Sequence, residues 1–535
     1  MPEKTMKNLP LIDLGVIAVY LVAMVLVGVY FSRKNKNADQ FTTASGLIPG
    51  WATGLSIYAT FLSSNTFLGV PGKAFGGNWN SFVFSLSMPL AAFVASRYFI
   101  PFYRRSGEVS AYTHFEHRFG SWARTYAVVC FLLTQLARMG SIFLGIALSL
   151  QALTGYSMQT IMVVMGVCII IYTVMGGMEA VIWTEVVQGV IKTFGALLIM
   201  YLIVQAMPGG ISSIIEIGKA HDKFSLGSLS PDFTQSTFWV VLFYGFFINL
   251  NNFGMDQNYI QRYHTTASEK EASKSLWLCV WLYVPASLLF FIIGACLFGY
   301  YQQYPQLLEV IRHNVALERL PAGASAAEVN QLASTLQPAD YGDKVMPNFM
   351  VTNVPVGLMG LIISAILSAA MSTISSGMNA SATVFTEDIY KRYINSNPSS
   401  QKQLRLLHIS TVVVGVFGLT AGLAMIGVKS ILDTWWTLSG IFAAGMLGLF
   451  LLGLISRQTK SAEALTAVVI GVLVIVWLTF SPKLPDEYGY LRNPLHSNMI
   501  IVVGTLTIFL VGVVLTKLKG RPSEQTKEAS VFTND

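Results

Sequence analysis

The stretch "GLSIYATFLSSNTFLGVPG", from Gly54 to Gly72, decides the fold of this chain. It has the length of a membrane span, but five polar side chains lie in its middle, and Gly69, Pro71 and Gly72 close it. The five are Thr60, Ser63, Ser64, Asn65 and Thr66. Such a segment is a poor continuous helix, so it is predicted to unwind in mid-membrane, where a bound cation would satisfy its freed carbonyl oxygens. A kinked but ordinary helix, packed through its small residues, is the alternative.

The composition is that of a membrane protein. Of the 535 residues, 53% are hydrophobic and 11% are charged, whereas an ordinary soluble protein has about 25% charged residues. Apolar stretches of roughly 20 residues, which cross a bilayer core as helices, recur along the chain with no interval the size of a soluble domain between them. We therefore predict an all-α polytopic membrane protein with about 13 transmembrane helices. Their centres lie near residues 21, 61, 91, 138, 167, 193, 248, 288, 370, 415, 442, 472 and 508.

The chain is predicted to form one transmembrane domain, residues 1–521, followed by a polar tail, residues 522–535. Its first apolar run is too long for the core of a signal peptide and lacks a small-x-small cleavage site, so it is predicted to be a retained span. A long loop at residues 302–351 contains Ser325 and Glu328 at capping-box spacing, which predicts a short surface helix. The sequence does not indicate what this loop does.

The basic residues predict the orientation. Net charge is +7, but the Lys and Arg residues lie in short loops and form no dense patch, so nucleic acid is not a predicted partner. Twenty of the 34 basic residues fall in the loops of one side, among them Arg33, Lys34 and Lys36 after the first span and Arg262 after the seventh. The positive-inside rule then places the N-terminus outside and the C-terminus in the cytoplasm.

Hydroxyl groups line one face of the ninth span, in the stretch "SAAMSTISSGMN". Ser368, Ser372, Ser375, Ser376 and Asn379 follow the spacing i, i+4, i+7, i+8 and i+11, which places them on one side of a helix. Interhelical hydroxyl contacts contribute only ~0.6 kcal/mol on average, whereas a small hard cation prefers oxygen ligands. The spacing is compatible with a cation site and with small-residue packing.

Two further spans carry polar groups whose placement in a bilayer is energetically costly. In the fourth span, Arg138 lies near the midpoint and requires a carboxylate partner, either from a substrate or from the protein, where Glu185 is one candidate. The seventh span carries Asn249, Asn251, Asn252 and Asp256. Its three asparagines are predicted to line a cavity, with interhelical hydrogen bonding as the alternative.

Several classes of activity have no support in the sequence. The loops contain no P-loop, nucleotide fingerprint or nucleophile elbow, so a pump driven by ATP is not indicated. No nucleophile and base converge, so we predict that the chain is not an enzyme.

Three stretches resemble a known family. "GGMEAVIWTEVVQG" (176–189), "NASATVFTEDIYKR" (379–392) and "IQRY" (260–263) are similar to the sodium:solute symporters, which include sodium/glucose cotransporters and proline and sialic acid symporters. The resemblance implies a fold of the leucine-transporter type. It has two inverted five-helix repeats, at about residues 50–206 and 237–453, and the first helix of each repeat is discontinuous.

The resemblance also implies sodium ligands. The family's common cation site would use the carbonyl oxygens of Ala59, Leu62 and Ala369 with the hydroxyls of Ser372 and Thr373. A second cation site, present in some members, would use Ser372, Ser375 and Ser376 with an aspartate of the sixth span. Glu185 stands at that aspartate position, so its carboxylate is displaced by about a bond length.

Substrate contacts follow from the same resemblance. Arg138 matches the arginine that binds the sugar carboxylate in sialic acid symporters, and Ser63, Thr66 and Asn249 match polar pocket positions. Asn252 is assigned to the same pocket. Ser85 replaces the glutamine of the sialic acid members and the glutamate of the galactose-transporting member, which weakens the case for a neutral hexose.

The predicted function is sodium-coupled import of a small organic solute by alternating access. The favoured solute is sialic acid, or a related acidic sugar or monocarboxylate, co-transported with one or two Na⁺. A neutral sugar such as glucose or galactose, or proline, is the alternative solute, and a sodium-permeable channel is the alternative class. Spacing alone leaves proton coupling open. We expect a monomer to be sufficient for transport and place the protein in a bacterial inner membrane.

Overall fold

The computed structural model describes residues 9–32, 37–321 and 323–519. Within these residues every regular element is a helix, and eleven helices are long and apolar enough to cross a membrane. The prediction of an all-α polytopic membrane protein is therefore confirmed. Arg33, Lys34, Lys36 and the predicted polar tail lie outside the described residues.

Helices occupy all thirteen predicted positions, and we number them as spans in chain order. The bounds are Leu11–Ser32 (first), Gly50–Phe61 with Ser64–Gly76 (second), Trp79–Ser106 (third), Ser121–Thr154 (fourth), Met158–Ala206 (fifth and sixth), Phe238–Met255 (seventh), Glu269–Gln303 (eighth), Leu358–Val384 (ninth), Ser400–Ala424 (tenth), Ile431–Ile455 (eleventh), Ser461–Phe480 (twelfth) and Met499–Leu518 (thirteenth). The halves of the second span and the fifth-span segment Met158–Ile171 are each shorter than a full crossing. Thirteen crossings therefore stays a prediction.

The second span is broken where its hydroxyls cluster. Its first half ends at Phe61, and Leu62 (φ −88°, ψ 85°) and Ser63 (φ −97°, ψ 177°) leave the helical region before the second half begins. The Leu62 amide still donates to the carbonyl of Tyr58 at 3.1 Å. Because the helix stops there, the carbonyl groups that follow Tyr58 in its last turn have no intrahelical donors. The predicted unwinding is confirmed.

The seventh span is broken in the same way. The helix ends at Met255, Asp256 adopts an extended conformation (φ −83°, ψ 115°), and a buried helix, Gln257–His264, begins immediately after it. The Asp256 carboxylate accepts a hydrogen bond from the Asn258 amide at 2.9 Å, which caps the new helix. Both discontinuous helices expected from the resemblance are present.

Glycines set the course of the sixth span. Met158–Ala206 is one continuous helix except at Gly177, whose φ of 58° and ψ of −174° favour glycine and redirect the chain. Further along, a Cβ atom at Gly195 would overlap the Cβ of Ala365 in the ninth span. The kink and this close approach lay the polar side of the sixth span along the hydroxyl face of the ninth.

The first span supports the ninth from outside the bundle core. Asp13 is fully buried, and its Oδ1 accepts hydrogen bonds from the amides of Gly357 at 2.8 Å and Gly360 at 2.7 Å. The ninth helix begins at Leu358, so Asp13 caps its N-terminus from another span.

The loop at residues 302–351 is helical. It contains Pro305–Arg319, Ala326–Thr335 and Pro338–Asn353, and the middle helix begins with the predicted capping box of Ser325 and Glu328. The last of these helices packs closely on the second span, because a Cβ atom at Gly342 would lie 2.8 Å from the carbonyl oxygen of Gly72.

Candidate cation and solute sites

The five predicted ligands of the common cation site lie together between the second and ninth spans. The Ser372 hydroxyl is 3.2 Å from the carbonyl oxygens of both Ala59 and Ala369. The Thr373 hydroxyl donates to the carbonyl of Ala369 at 3.2 Å and to that of Thr60 at 3.1 Å. The break at Leu62 and the hydroxyl face of the ninth span therefore form the two walls of one oxygen-rich site.

The side chain of Lys192 enters this site from the sixth span. Its Nζ donates to the carbonyl of Ala59 at 2.5 Å, to the carbonyl of Leu62 at 2.9 Å and to the hydroxyl of Ser372 at 2.9 Å. An ammonium group has three donors, and each has a partner here. Lys192 is fully buried. A cation of the protein therefore contacts three of the five ligands predicted for sodium.

Lys192 is absent from the predicted ligands, although the sequence carries a signal for it. It follows Glu185 by seven residues in "EVVQGVIK", which is two helical turns and places both ionisable groups on one face. An ionisable residue in the middle of a span is by default part of a functional site.

Glu185 also contacts a cation of the protein. Its carboxylate hydrogen-bonds to the hydroxyls of Ser56 and Ser376, and the Arg262 guanidinium lies 2.7 Å from Oε2. Neither charged side chain is exposed. The same guanidinium donates to Ser56 at 2.8 Å and to Ser376 at 2.6 Å.

The prediction that Arg262 lies in an inside loop is wrong. The helix Gln257–His264, which follows the break in the seventh span, is buried along its whole length and carries Arg262 into the bundle. Of the second cation site, the structure brings Glu185 and Ser376 together, whereas the Ser375 hydroxyl donates to the carbonyl of Ser372 at 3.1 Å.

Electrostatics decide what the two sites can hold at the same time. Two unit charges 4 Å apart repel each other by about 4 kcal/mol at an effective dielectric constant of 20, which corresponds to roughly a thousandfold in affinity. The oxygen ligands of the common cation site suit sodium, but a sodium ion beside the Lys192 ammonium would incur a repulsion of this order. A sodium ion at the predicted position would therefore meet the Lys192 ammonium at the same oxygens.

Arg138 pairs with Asp256 and not with Glu185, so the candidate pairing with Glu185 is wrong. An Nη2 of Arg138 lies 3.0 Å from Oδ2 of Asp256, and its guanidinium carbon lies 5.2 Å from the centroid of the Trp435 ring. The break in the seventh span turns the Asp256 carboxylate toward the fourth span, whereas Glu185 is held by Arg262.

A cavity beside this pair holds most of the predicted substrate residues. It encloses about 750 Å³ of empty space, including the part open to solvent. Five predicted residues line it, namely Ser63, Thr66, Ser85, Arg138 and Asn252. Aromatic walls complete it, formed by Phe61, Phe84, Tyr244, Tyr259, Tyr283, Phe291, Trp435 and Trp436.

Two of the polar predictions have partners within the protein. The Ser85 hydroxyl lies 2.7 Å from that of Ser287, which also lines the cavity. Asn249 lies outside the lining, and its amide nitrogen is 3.3 Å from the Ser87 hydroxyl. Its role as a substrate contact stays a prediction.

The cavity and the cation sites share a wall. Thr60 and Thr373 both line the cavity, and the Thr60 hydroxyl lies 3.3 Å from that of Ser376 and 3.4 Å from the Glu185 carboxylate. A change of cation in these sites therefore acts directly on residues that face the solute.

Comparison with known proteins identifies the family. The family model described as "Sodium:solute symporter family" matches residues 41–471. The chain belongs to the sodium:solute symporter family. The resemblance carried by the three sequence motifs is confirmed, and the protein is a multi-pass membrane transporter by family and by its apolar helices.

Individual relatives extend over nearly the whole chain. A sodium/sialic acid symporter of Proteus mirabilis is 33% identical over 500 residues, which cover 93% of this chain and 94% of the relative. A sodium/sialic acid symporter of Aliivibrio fischeri is 34% identical over 492 residues, which cover 91% of each chain.

A solved structure gives the same picture of the fold of this symporter. It is described as the substrate-bound outward-open state of a Na⁺-coupled sialic acid symporter, with 33% sequence identity and a TM-score of 0.81. The match covers 95% of this chain and 98% of the solved chain. The leucine-transporter type of fold expected from the resemblance is confirmed.

Proposed function

We propose that this family member is a sodium-coupled symporter that imports a small carboxylate-bearing solute, with sialic acid as the solute favoured by its relatives. The observation that carries the proposal is the Arg138 guanidinium in the wall of a cavity that also borders the cation sites. A guanidinium binds a carboxylate through two parallel hydrogen bonds, which supplies both affinity and orientation.

The solute carboxylate would take over from Asp256. In the structure the Asp256 carboxylate pairs with Arg138, so an incoming acid exchanges one carboxylate on Arg138 for another and the guanidinium stays paired. The displaced Asp256 carboxylate keeps its hydrogen bonds from Asn258. The hydroxyls of Ser63, Thr66 and Ser85 then face the hydroxyl groups of a sugar, and the aromatic walls cover its apolar faces.

Coupling uses the wall shared by the two kinds of site. A cation between the second and ninth spans orders the broken helix, and the ordered helix completes the solute pocket. Moving one net charge through 100 mV supplies ~2.3 kcal/mol, or about 50-fold accumulation from voltage alone. For a monoanionic solute this requires two sodium ions, because one sodium ion and one monoanion together carry no net charge.

The wider setting is part of the same proposal. Residues 1–521 form one transport domain with inverted repeats at about 50–206 and 237–453, and a monomer in a bacterial inner membrane is sufficient for transport. The N-terminus lies outside and the C-terminus in the cytoplasm. Lipid is the surrounding partner, nucleic acid is not bound, and the solute leaves chemically unchanged.

Uptake by proteoliposomes tests the proposal. Labelled sialic acid should accumulate faster with an inward sodium gradient than with choline, and unlabelled sialic acid should compete better than glucose, galactose, proline or lactate. Equal uptake with and without the sodium gradient would defeat coupling. Competition by galactose alone would replace the acidic solute with a neutral sugar, and sodium conductance without solute movement would indicate a channel.

A further inference from the structure

We propose that the Lys192 ammonium is the resident cation of the common cation site, and that sodium binds there only when this side chain withdraws. The inference rests on the proposed function, because it concerns how the transported ion reaches its ligands. It makes Lys192 a tethered competitor of sodium, and it assigns this lysine to the transport machinery.

The contacts of Lys192 are those of a bound cation. Its three donors meet two carbonyl oxygens of the broken second span and one hydroxyl of the ninth span. These are the elements that a sodium ion is predicted to join. The side chain is attached to the sixth span, so its ammonium bridges three elements in the same way as a free ion and cannot diffuse away.

An ordinary ion pair does not account for this lysine. Within the described part of the chain, no carboxylate forms an ion pair with Lys192. The nearest acid on its own span, Glu185, is paired with Arg262 and acts on the ammonium without direct contact. Tyr58 from the second span bonds to Thr193, beside Lys192, and Tyr20 from the first span bonds to Ser368. The direct contacts of the ammonium are therefore backbone carbonyl and hydroxyl oxygens, as those of a sodium ion would be.

A purely structural role gives a different expectation. If Lys192 only satisfied the carbonyls freed by the helix break, its removal would lower the melting temperature by the same amount in NaCl and in choline chloride. If the ammonium occupies the position of an ion, its removal opens a site that sodium fills. Bound sodium then restores the stability that the ammonium contributed. The difference is whether the variant gains a response specific to sodium.

Sodium binding to purified protein provides the test. Wild type and Lys192→Met are titrated with NaCl against choline chloride at constant ionic strength, and ²²Na⁺ binding and melting temperature are measured. Lys192→Met should reach half-saturation at a sodium concentration at least tenfold lower than wild type, and its melting temperature should rise with sodium more than that of wild type. Half-saturation within twofold of wild type would overturn the proposal.

Two further variants assign the effect to the site. Lys223 is a matched lysine whose Nζ donates to the carbonyls of Phe75 and Gly77 at 2.8 and 2.7 Å, away from the cation sites. Lys223→Met should leave the sodium concentration at half-saturation unchanged. If Lys223→Met lowered that concentration as much as Lys192→Met does, the proposal would be overturned. Adding Ser372→Ala to Lys192→Met should remove the gained binding, and its persistence would likewise count against the proposal.

Neither poor folding of a variant nor a wrong choice of solute would obscure the result of the sodium titration. Where Lys192→Met is recovered only in sodium, that rescue is itself the expected response, and Lys192→Gln provides an uncharged side chain that retains two donors. The binding readouts need no solute. Absence of sialic acid uptake in every protein would defeat the proposed function alone, whereas equal sodium binding would defeat this inference alone.

Discussion

The guanidinium of Arg262 lies 2.7 Å from the carboxylate of Glu185, and both side chains are fully buried. The pair joins the sixth span to the short helix that follows the break in the seventh span. It therefore links the first predicted repeat to the second at the level of the cation sites. A glutamate can make this contact while also bonding to Ser56 and Ser376.

Removing the charge of Glu185 should destabilise the protein strongly. Glu185→Gln leaves the Arg262 guanidinium buried without a carboxylate, and breaking one partner of a buried pair costs about 3 to 5 kcal/mol. The melting temperature in detergent should fall clearly, and the fraction of monodisperse protein in size-exclusion chromatography should fall with it.

Glu179 provides the matched control for this change. It is on the same helix, near the kink, and is partly exposed. Glu179→Gln should therefore melt like wild type. The double variant Glu185→Gln with Arg262→Gln should recover part of the loss, because no charge remains unpaired. A Glu185→Gln protein as stable as wild type would contradict the importance of the pair.

Neutralising Asp256 should strengthen binding of an acidic solute. Asp256 pairs with Arg138 and, in the proposed function, competes with the solute for it. Asp256→Asn therefore frees the guanidinium while keeping a side chain that caps Gln257–His264. We expect roughly tenfold tighter sialic acid binding, or about 1.4 kcal/mol, measured by titration calorimetry and by a larger solute-induced rise in melting temperature.

Arg138→Ala is the opposing variant for that experiment. It should weaken binding of the acid by at least about 30-fold, since truncating one partner of a buried charge pair costs roughly 2 to 5 kcal/mol. Adding Asp256→Asn to it removes the unpaired Asp256 carboxylate and should restore stability but not binding. Weaker acid binding by Asp256→Asn alone would show that Asp256 assists the solute and does not compete with it.

The tertiary cap of the ninth helix should contribute measurably to stability. Asp13→Ala leaves the amides of Gly357 and Gly360 without their acceptor, and loss of a cap costs about 0.5 to 2 kcal/mol. Asp13→Asn keeps an acceptor oxygen and should lose less. Thermal unfolding of the two variants beside wild type measures the difference, and identical melting of Asp13→Ala and wild type would argue against a capping role.

Features encoded within one helix could be predicted from the sequence. The break in the second span follows from local helix breakers, and the hydroxyl face of the ninth follows from spacing along one helix. Ser63 and Arg138, which line the cavity, are predictable because polar and charged side chains within a membrane span are energetically costly and usually serve a function. Each of these signals lies within about 20 residues of sequence.

Contacts between distant spans could not be predicted in this way. That Lys192 enters the common cation site depends on the turn at Gly177 and on the close packing of Gly195 against Ala365. That Arg262 is buried depends on how the helix after Asp256 enters the bundle. Spacing along the sequence shows which residues share one face of their own helix. Tertiary packing determines which neighbouring helix that face contacts.

Asp343 should make stability depend on pH. It lies in the loop helix Pro338–Asn353, where its Oδ2 accepts a hydrogen bond from the Ile431 amide at 2.8 Å. Burial raises the pKa of Asp343 from 3.8 to about 6. The folded protein therefore holds this proton more tightly than the unfolded chain does. Its contribution is fully present below pH 4 and is lost as pH rises through about 6.

Asp343→Asn should remove this dependence, because asparagine keeps the shape and the acceptor but cannot ionise. The rise in the pKa corresponds to at most about 3 kcal/mol, so the variant should match wild type below pH 4 and melt at a progressively higher temperature than wild type as pH rises to 7. Asp486, whose side chain is 99% exposed, is the matched control, and Asp486→Asn should follow the wild-type profile. If Asp343→Asn and wild type change in parallel across this range, the buried Asp343 carboxyl is not the group responsible.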